Sequence, residues 1–139
     1  MSTGKITGIG GIFFKSKDVK TINNWYYKNL GLIPNDYGSL FEWKSTVSNS
    51  VGYTQWSPFS YQTKYFLPSS NNFMVNYRVD NLQKLYENFK ANGVIVLDSI
   101  EVFEYGKFLH ILDCDSNKIE LWEPVDSVFT NLYKTNTTK

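Results

Sequence analysis

The sequence predicts an α+β protein in which a strand, a helix and a further set of strands occur twice. Two observations lead to this fold class. Asp18 and Gly31 enclose a stretch with apolar residues at helical spacing, and Asp80 and Gly93 enclose a second stretch of the same length. Each stretch follows one β-prone run and precedes several others. A repeat with matching start and stop signals indicates an internal duplication.

The composition restricts the class of protein. The chain has 139 residues, of which 42% are hydrophobic, which is enough for one compact core and too few for two ordinary domains. Its net charge of +1 gives no field that would gather nucleic acid or an anionic membrane surface. The single cysteine, Cys114, excludes an internal disulfide, and we find neither a secretion signal nor an apolar run of about 20 residues. We therefore expect a soluble, cytoplasmic protein.

The first half begins with a β-prone run that predicts a strand over about residues 6–15. An amphipathic helix over residues 18–30 follows, with Asp18 as its N-cap. The pieces "SLFEWKS", "SVGYTQWS" and "TKYFL" predict two to four antiparallel strands before residue 67. Pro58 and Pro68 argue against a continuous central strand in the segment that links the two halves.

The second half predicts a strand over residues 73–79, an N-cap at Asp80 and a helix that Gly93 ends. Three strands follow in "VIVLDSIEVFE", "KFLHILD" and "KIELWEP", with "DCDSN" as the tight loop between the last two. Residues 125–139 form a tail. Its apolar run "VDSVFTNLY" predicts a last helical turn, and its polar end "KTNTTK" predicts a frayed terminus.

Three stretches of the chain are distinctive: "ITGIGGIFFKSKDVKTINNWYYKNLGL", "FMVNYRVDNLQKLYENFKANGV" and "FLHILDCDSNKIELWEP". The most specific pieces are the aromatic pair before "LGL" and the ending "D-x-D-x-N-x-IELWEP". Together the three stretches resemble the glyoxalase, bleomycin-resistance and extradiol-dioxygenase superfamily, also called the vicinal oxygen chelate superfamily. Cys114 and Ser116 depart from the D-P-D-G-N that is usual in that superfamily. The resemblance implies a single glyoxalase-like domain of two tandem βαβββ modules, about residues 5–67 and 73–124, whose curved mixed sheets form a ligand cup.

Members of this superfamily often hold a divalent metal with one side chain each from the first, fourth, fifth and eighth strands. Carried onto this sequence, the positions are Gly11, a residue near Gly52 with Gln55 as its neighbour, a residue at about Met74, and Glu120. Glu120 is the only carboxylate among them, whereas zinc normally takes at least three protein ligands and hard cations take several oxygen donors. We therefore expect no metal and no other cofactor at this site.

The last hairpin brings a second polar residue to Glu120. If "DCDSN" closes this hairpin symmetrically, His110, the only histidine of the chain, lies directly opposite Glu120. Alternation then puts Phe108 and Trp122 on the same side of the sheet. The pair could be a structural charge pair, a contact for a ligand, or a catalytic acid and base, because a carboxylate raises the pKa of an imidazole and fixes its tautomer.

Other candidate residues lie on the strands that we expect to wall the cup. The predicted ligand-binding residues are Trp43, Tyr53, Gln55, Trp56, Asn76, Arg78, Phe108 and Trp122. Aromatic residues make up 17% of the chain, and they line pockets for apolar or aromatic ligands as well as filling cores. Arg78 is a candidate for holding an anionic group.

These observations leave two classes of function open, and a third possibility is a stand-alone domain that associates with another protein. The first is a metal-independent protein that binds a small apolar or aromatic molecule. The resemblance to bleomycin-binding proteins, which are dimers, implies that such a protein forms a homodimer. The alternative is a metal-dependent lyase, isomerase or dioxygenase of the glyoxalase type, in which Glu120 is a metal ligand or a base. Neither class involves nucleic acid or a membrane as a partner.

Overall fold

The computed structural model describes residues 3–133 and 136–139. The strands in these residues are β1 (Lys5–Ser16), β2 (Ser39–Lys44), β3 (Val51–Ser60), β4 (Phe73–Asp80), β5 (Glu101–Phe103), β6 (Gly106–Leu112) and β7 (Lys118–Pro124). The helices are α1 (Val19–Leu30), α2 (Leu82–Asn92) and α3 (Asp126–Leu132). The strands form one open, curved sheet in the order β2, β3, β1, β4, β7, β6, β5, which confirms the predicted α+β class.

The two halves of the chain meet at the centre of the sheet, where β1 and β4 run antiparallel. Each of these strands is also parallel to the last strand of its own half, β1 to β3 and β4 to β7. The halves therefore share this pairing, as the repeated sequence pattern predicts, but among the described residues the first half has three strands and only the second has the four of a βαβββ module. No helix in the described parts of the chain is long and apolar enough to cross a lipid bilayer.

Both long helices have the caps that their sequences favour, with one difference. Asp18 caps α1, and Gly31 ends it in the left-handed conformation with φ 71°. The N-cap of α2 is Asn81, so the prediction of Asp80 is wrong by one residue. Asp80 is instead the last residue of β4, where its carboxylate accepts a hydrogen bond from the backbone N–H of Lys5.

Two predictions for the middle of the chain are wrong. Residues 63–67, "TKYFL", do not form a strand but lie in turns, and Phe66 is buried there against Phe13 and Met74. Pro58 lies inside β3 rather than ending it. The ladder between β2 and β3 stops at Trp56, so in the described sheet the edge of β3 that faces β2 is unpaired at Pro58. A proline is tolerated at such an edge because no ladder hydrogen bond is lost.

The ends of the second half also differ in part from the predictions. The run "VIVLDSIEVFE" contributes only the short β5 and one bridge from Val96 to Ile111. The predicted helical turn of the tail is present as α3. The prediction of a frayed terminus is wrong for residues 136–139, because Thr137 is 5% exposed and Thr138 hydrogen-bonds to the outer edge of β2. Lys134 and Thr135 of the same stretch lie outside the described residues.

The helices α1 and α2 cover one face of the sheet. Leu82 of α2 packs with Val79, Leu109 and Leu121 of the strands beneath it, and Tyr26 of α1 contacts Trp56 of β3, with 4.6 Å between the ring centroids. The opposite, concave face is covered by the connection between β3 and β4 and by α3. This concave face carries the polar residues described next.

Candidate functional site

A row of paired residues crosses five neighbouring strands of the sheet. From β3 to β6 it contains Gln55, Gly11, Asn76, Glu120 and His110, each in register with the next. Directly paired residues project to the same side of a sheet. The register therefore brings the side chains of Asn76, Glu120 and His110 together on the concave face.

The sequence-based hypothesis of how the last hairpin closes is confirmed. His110 pairs with Glu120, and Phe108 pairs with Trp122, in the ladder between β6 and β7. The rings of Phe108 and Trp122 are stacked, with centroids 5.9 Å apart and 10° between their planes. They form an aromatic wall beside the pair.

Glu120 is only 3% exposed, and three side chains bind its carboxylate. The amide of Asn76 donates a hydrogen bond to Oε1 at 2.7 Å, and Nε2 of His110 lies 2.7 Å from Oε2. The hydroxyl of Tyr65 donates a further hydrogen bond to Oε2. This set of partners offsets the cost of burying a negative charge.

His110 lies between two carboxylates. Its Nε2 faces Glu120, and its Nδ1 lies 2.6 Å from Oδ2 of Asp98. An ionised carboxylate only accepts hydrogen bonds, so both contacts are satisfied together when both ring nitrogens carry a proton. Burial lowers the pKa of His110, but the hydrogen bonds and charges of Glu120 and Asp98 outweigh it, so the pKa is raised above its ordinary value. The site therefore favours an imidazolium.

Tyr65 approaches this pair from outside the sheet. It lies in the connection between β3 and β4, and the residue is 40% exposed although its hydroxyl binds Glu120. Its ring stacks on Phe59, with centroids 5.6 Å apart and 6° between the planes. Burial and then the charge of Glu120 raise the pKa of Tyr65, so its phenol remains a proton donor.

Tyr65 and Asp98 are site residues that the sequence analysis missed. Tyr65 lies in "TKYFL", a run interpreted as a strand within the segment that links the halves, and Asp98 lies in a second run interpreted as a strand. The one available signal was chemical: a buried Glu–His pair has more hydrogen-bonding capacity than the two residues can satisfy between themselves. This excess capacity predicts further hydrogen-bond partners but not their positions in the sequence.

Arg78 is held by the protein rather than left open to a ligand. Its guanidinium makes two hydrogen bonds to Asp126 of α3, at 2.9 and 2.5 Å, and a third to the backbone oxygen of Tyr53. Its guanidinium carbon also lies 4.9 and 5.3 Å from the ring centroids of Trp43 and Trp122. The structure therefore gathers Trp43, Trp122 and the backbone of Tyr53 around Arg78, and α3 binds the same guanidinium through Asp126.

Two of the predicted ligand-binding residues have other contacts. Trp56 faces α1, on the opposite side of the sheet from the cup, so its predicted role in lining the cup is wrong. The reason is alternation, because its neighbour Gln55 lies in the concave row. The amide of Gln55 is turned towards β2 and donates to the backbone oxygens of Ser39 and Trp56, at 3.0 and 3.1 Å.

The register corrects the transfer of the metal positions. Asn76, not Met74, lies between Gly11 and Glu120, and Gln55, not Gly52, lies beside Gly11. Met74 is fully buried in the apolar cluster with Phe66. The four metal-ligand positions that the resemblance implies are thus occupied by Gly11, by the amide side chains of Gln55 and Asn76, and by the carboxylate of Glu120.

This set of residues does not fit a divalent metal. Gly11 offers no donor, and both amides direct their NH2 groups to oxygen acceptors. The Oδ1 atom of Asn76 has no hydrogen-bond partner among the described residues, but it packs so closely on Gly10 that a Cβ added there would clash with it. Residues 3–133 and 136–139 contain no cluster of three His, Cys, Asp or Glu that could hold a metal. Zinc and related metals require more donors than remain here.

Solved structures with this fold include two epimerases. Methylmalonyl-CoA epimerase from Mycobacterium tuberculosis is 19% identical, with 94% of this chain and 96% of that chain covered and a TM-score of 0.61. A variant of the Streptomyces coelicolor methylmalonyl-CoA epimerase, in complex with 2-nitronate-propionyl-CoA, is 15% identical, with coverages of 87% and 99% and a TM-score of 0.62. A glyoxalase/bleomycin resistance protein/dioxygenase superfamily member from Vibrio splendidus 12B01 is 8% identical, with coverages of 86% and 99% and a TM-score of 0.49.

No protein-family model matches the sequence, and a search of curated proteins found no significant match. The similarity to the solved structures is therefore one of fold. This fold agrees with the one that the sequence motifs imply.

Proposed function

From the vicinal oxygen chelate fold of this chain, we propose that the protein binds a small apolar or aromatic molecule in the cup of the sheet, without a metal or other cofactor. Glu120 and His110 are the polar anchors of the ligand. The observation that carries this proposal is that one removable side chain, that of Tyr65, covers a buried carboxylate from the solvent side. A ligand that replaced Tyr65 would reach Glu120 directly.

The surroundings of Glu120 support a ligand with an apolar body. Phe59 and Phe66 lie on one side of the anchor pair, and Phe108 and Trp122 lie on the other. Apolar walls with a few convergent polar groups are typical of small-molecule sites. The net charge of +1 gives no support to a nucleic-acid or membrane partner. A homodimer and a cytoplasmic location stay predictions from the sequence.

A ligand screen with a matched pair of variants tests the proposal. Wild-type protein, Glu120→Gln and Glu87→Gln would be screened by thermal shift against aromatic, phenolic and cationic small molecules. Glu87 is exposed on α2, on the other face of the sheet, and serves as the control. We expect compounds that raise the Tm of the wild type and of Glu87→Gln but not that of Glu120→Gln. Compounds that stabilise all three proteins equally, or no active compound at all, would contradict the proposal.

A second candidate function is metal-free proton transfer, as in an epimerase or isomerase. A chain of hydrogen-bonded groups leads from Asp98, whose side chain is 34% exposed, through His110 to the buried Glu120. Such a chain can return a proton to solvent after Glu120 has accepted it from a substrate carbon. Exchange of the C2 hydrogen of methylmalonyl-CoA in deuterated water, measured for the wild type and Glu120→Gln, tests this candidate. Equal exchange in both proteins would exclude Glu120 as the base.

A further inference from the structure

The Tyr65 side chain occupies the position at Glu120 that the proposed ligand would need. Its hydroxyl binds Oε2 of Glu120 and lies 3.1 Å from Nε2 of His110. Its ring lies on Phe59, and the ammonium group of Lys118 is 5.0 Å from the ring centroid. A phenol is therefore already held in this site by contacts to its ring and to its oxygen.

Glu120 sets the demand on the group that Tyr65 now presents. Both ring protons of the His110 imidazolium are already directed at carboxylates, that of Nε2 at Glu120 and that of Nδ1 at Asp98. Oε2 of Glu120 therefore takes a hydrogen-bond donor in the place of Tyr65, and an ether or carbonyl oxygen, which only accepts, would leave the buried carboxylate without this partner. A free hydroxyl on an aromatic ring reproduces both contacts that Tyr65 makes, the hydrogen bond to Glu120 and the stacking on Phe59.

The Tyr65 side chain has the features of a displaceable occupant. The connection around it is anchored by Phe66, which is 1% exposed, whereas Tyr65 itself is 40% exposed. The ends of the connection, Tyr61 and Asn72, bond to β1, and the backbone hydrogen bonds between them join near neighbours, such as Leu67 to Lys64 and Ser69 to Phe66. Rotation of the Tyr65 side chain therefore breaks no strand pairing.

We infer that the ligand of this site is a phenol, a planar aromatic molecule with a free hydroxyl, which displaces Tyr65 and takes its place between Phe59 and Lys118. This inference rests on the proposed binding function and names its ligand class. The ligand hydroxyl takes over the hydrogen bond to Glu120, and the ligand ring takes over the stacking on Phe59. Tyr65 then weakens the apparent affinity of the site, because a ligand binds only that fraction of the protein in which Tyr65 has left Glu120.

A truncated side chain tests this inference directly. Tyr65→Ala removes the phenol, and p-cresol replaces the same ring and hydroxyl. We would measure binding of p-cresol, of 4-methylanisole and of toluene by calorimetry, in Tyr65→Ala and in the double variant Tyr65→Ala/Glu120→Gln. We expect p-cresol to bind Tyr65→Ala roughly tenfold or more tightly than either compound without a free hydroxyl, and the double variant to lose this preference.

A second variant keeps the test decisive if Tyr65→Ala does not fold. Tyr65→Phe retains the ring and its packing but releases Glu120, so it should bind p-cresol more tightly than the wild type by about tenfold. Equal binding of the three compounds to Tyr65→Ala, or equal binding of p-cresol to Tyr65→Phe and the wild type, overturns the phenol assignment. The proposed function fails separately, when no compound in the screen depends on Glu120.

Discussion

The Nε2 atom of His110 lies 2.7 Å from the Oε2 atom of Glu120, directly across the ladder between β6 and β7. Both side chains are buried, and Asp98 holds the other nitrogen of the ring at 2.6 Å. A buried charge pair costs desolvation energy, which the two partners offset only while both are present. The pair should therefore behave as one energetic unit.

A double-mutant cycle measures this coupling. Glu120→Gln removes one of the two charged partners of the buried imidazolium. His110→Gln removes the charged partner of the buried carboxylate. We expect each change to lower the free energy of unfolding by about 3 to 5 kcal/mol, and the double variant to cost less than the sum of the two by about 1 kcal/mol or more. Urea unfolding at pH 6 gives all four values. Additive losses would mean that the two side chains do not depend on each other.

The protonation of His110 should make stability depend on pH. Its pKa is raised in the folded protein above the unfolded value of about 6.5, so proton binding favours the folded state. This stabilisation is complete below pH 6.5 and is lost as the pH rises through the higher, folded pKa.

Because His110 is the only histidine, one imidazole signal in the NMR spectrum reports its titration. We expect a midpoint above 6.5 in the wild type, and a stability advantage over His110→Gln that shrinks between pH 6 and pH 9. Glu120→Gln should lower the midpoint, because it removes the strongest of the interactions that raise the pKa. A wild-type midpoint below the ordinary value would show that burial outweighs the two carboxylates.

Metal analysis tests whether the residues at the superfamily's ligand positions hold an ion. The protein would be purified without a histidine tag or chelator and dialysed against nickel, zinc, manganese and iron before elemental analysis. We expect no stoichiometric metal, and equal metal-induced changes in Tm for the wild type and Glu120→Gln, because Glu120 is already bound by Asn76, His110 and Tyr65. Retained metal that depends on Glu120 would overturn this expectation.

The anchor pair could be predicted because one short hairpin contains both of its members. The loop "DCDSN" fixes the pairing of the strands on either side, so simple counting puts His110 opposite Glu120. The helices could be predicted for a similar reason, since their caps and apolar spacing are local. Local sequence therefore determined the core of the site.

The remaining site residues depend on contacts between distant parts of the chain. Irregularities in β1, between Ile6 and Gly8 and between Ile9 and Gly11, shift its pairing with β4. Such bulges leave no regular pattern in the sequence, so counting along the strands does not reveal that Gly11 pairs with Asn76, two residues away from the position at Met74 that the resemblance implied. Tyr65 lies in a connection without periodicity, where no spacing rule predicts the direction of a side chain.

The chain terminus provides the last prediction. The backbone N–H of Thr138 donates to the oxygen of Leu40 at 2.9 Å, and its backbone oxygen accepts from the N–H of Glu42 at 2.8 Å. Its hydroxyl also lies 2.8 Å from the hydroxyl of Ser39. These bonds cover the outer edge of β2, whose unpaired groups would otherwise be exposed.

Thr138→Pro removes the donor to Leu40, whereas Thr138→Ser keeps the backbone bonds and the hydroxyl. We expect Thr138→Pro to lower the free energy of unfolding by about 1 kcal/mol or more, because a backbone hydrogen bond is lost and Thr137 is restricted as well. Hydrogen exchange of the Glu42 amide should become faster in Thr138→Pro and stay unchanged in Thr138→Ser. Equal exchange in the two variants would mean that the terminus does not protect this edge, and that β2 keeps its order through its ladder with β3 alone.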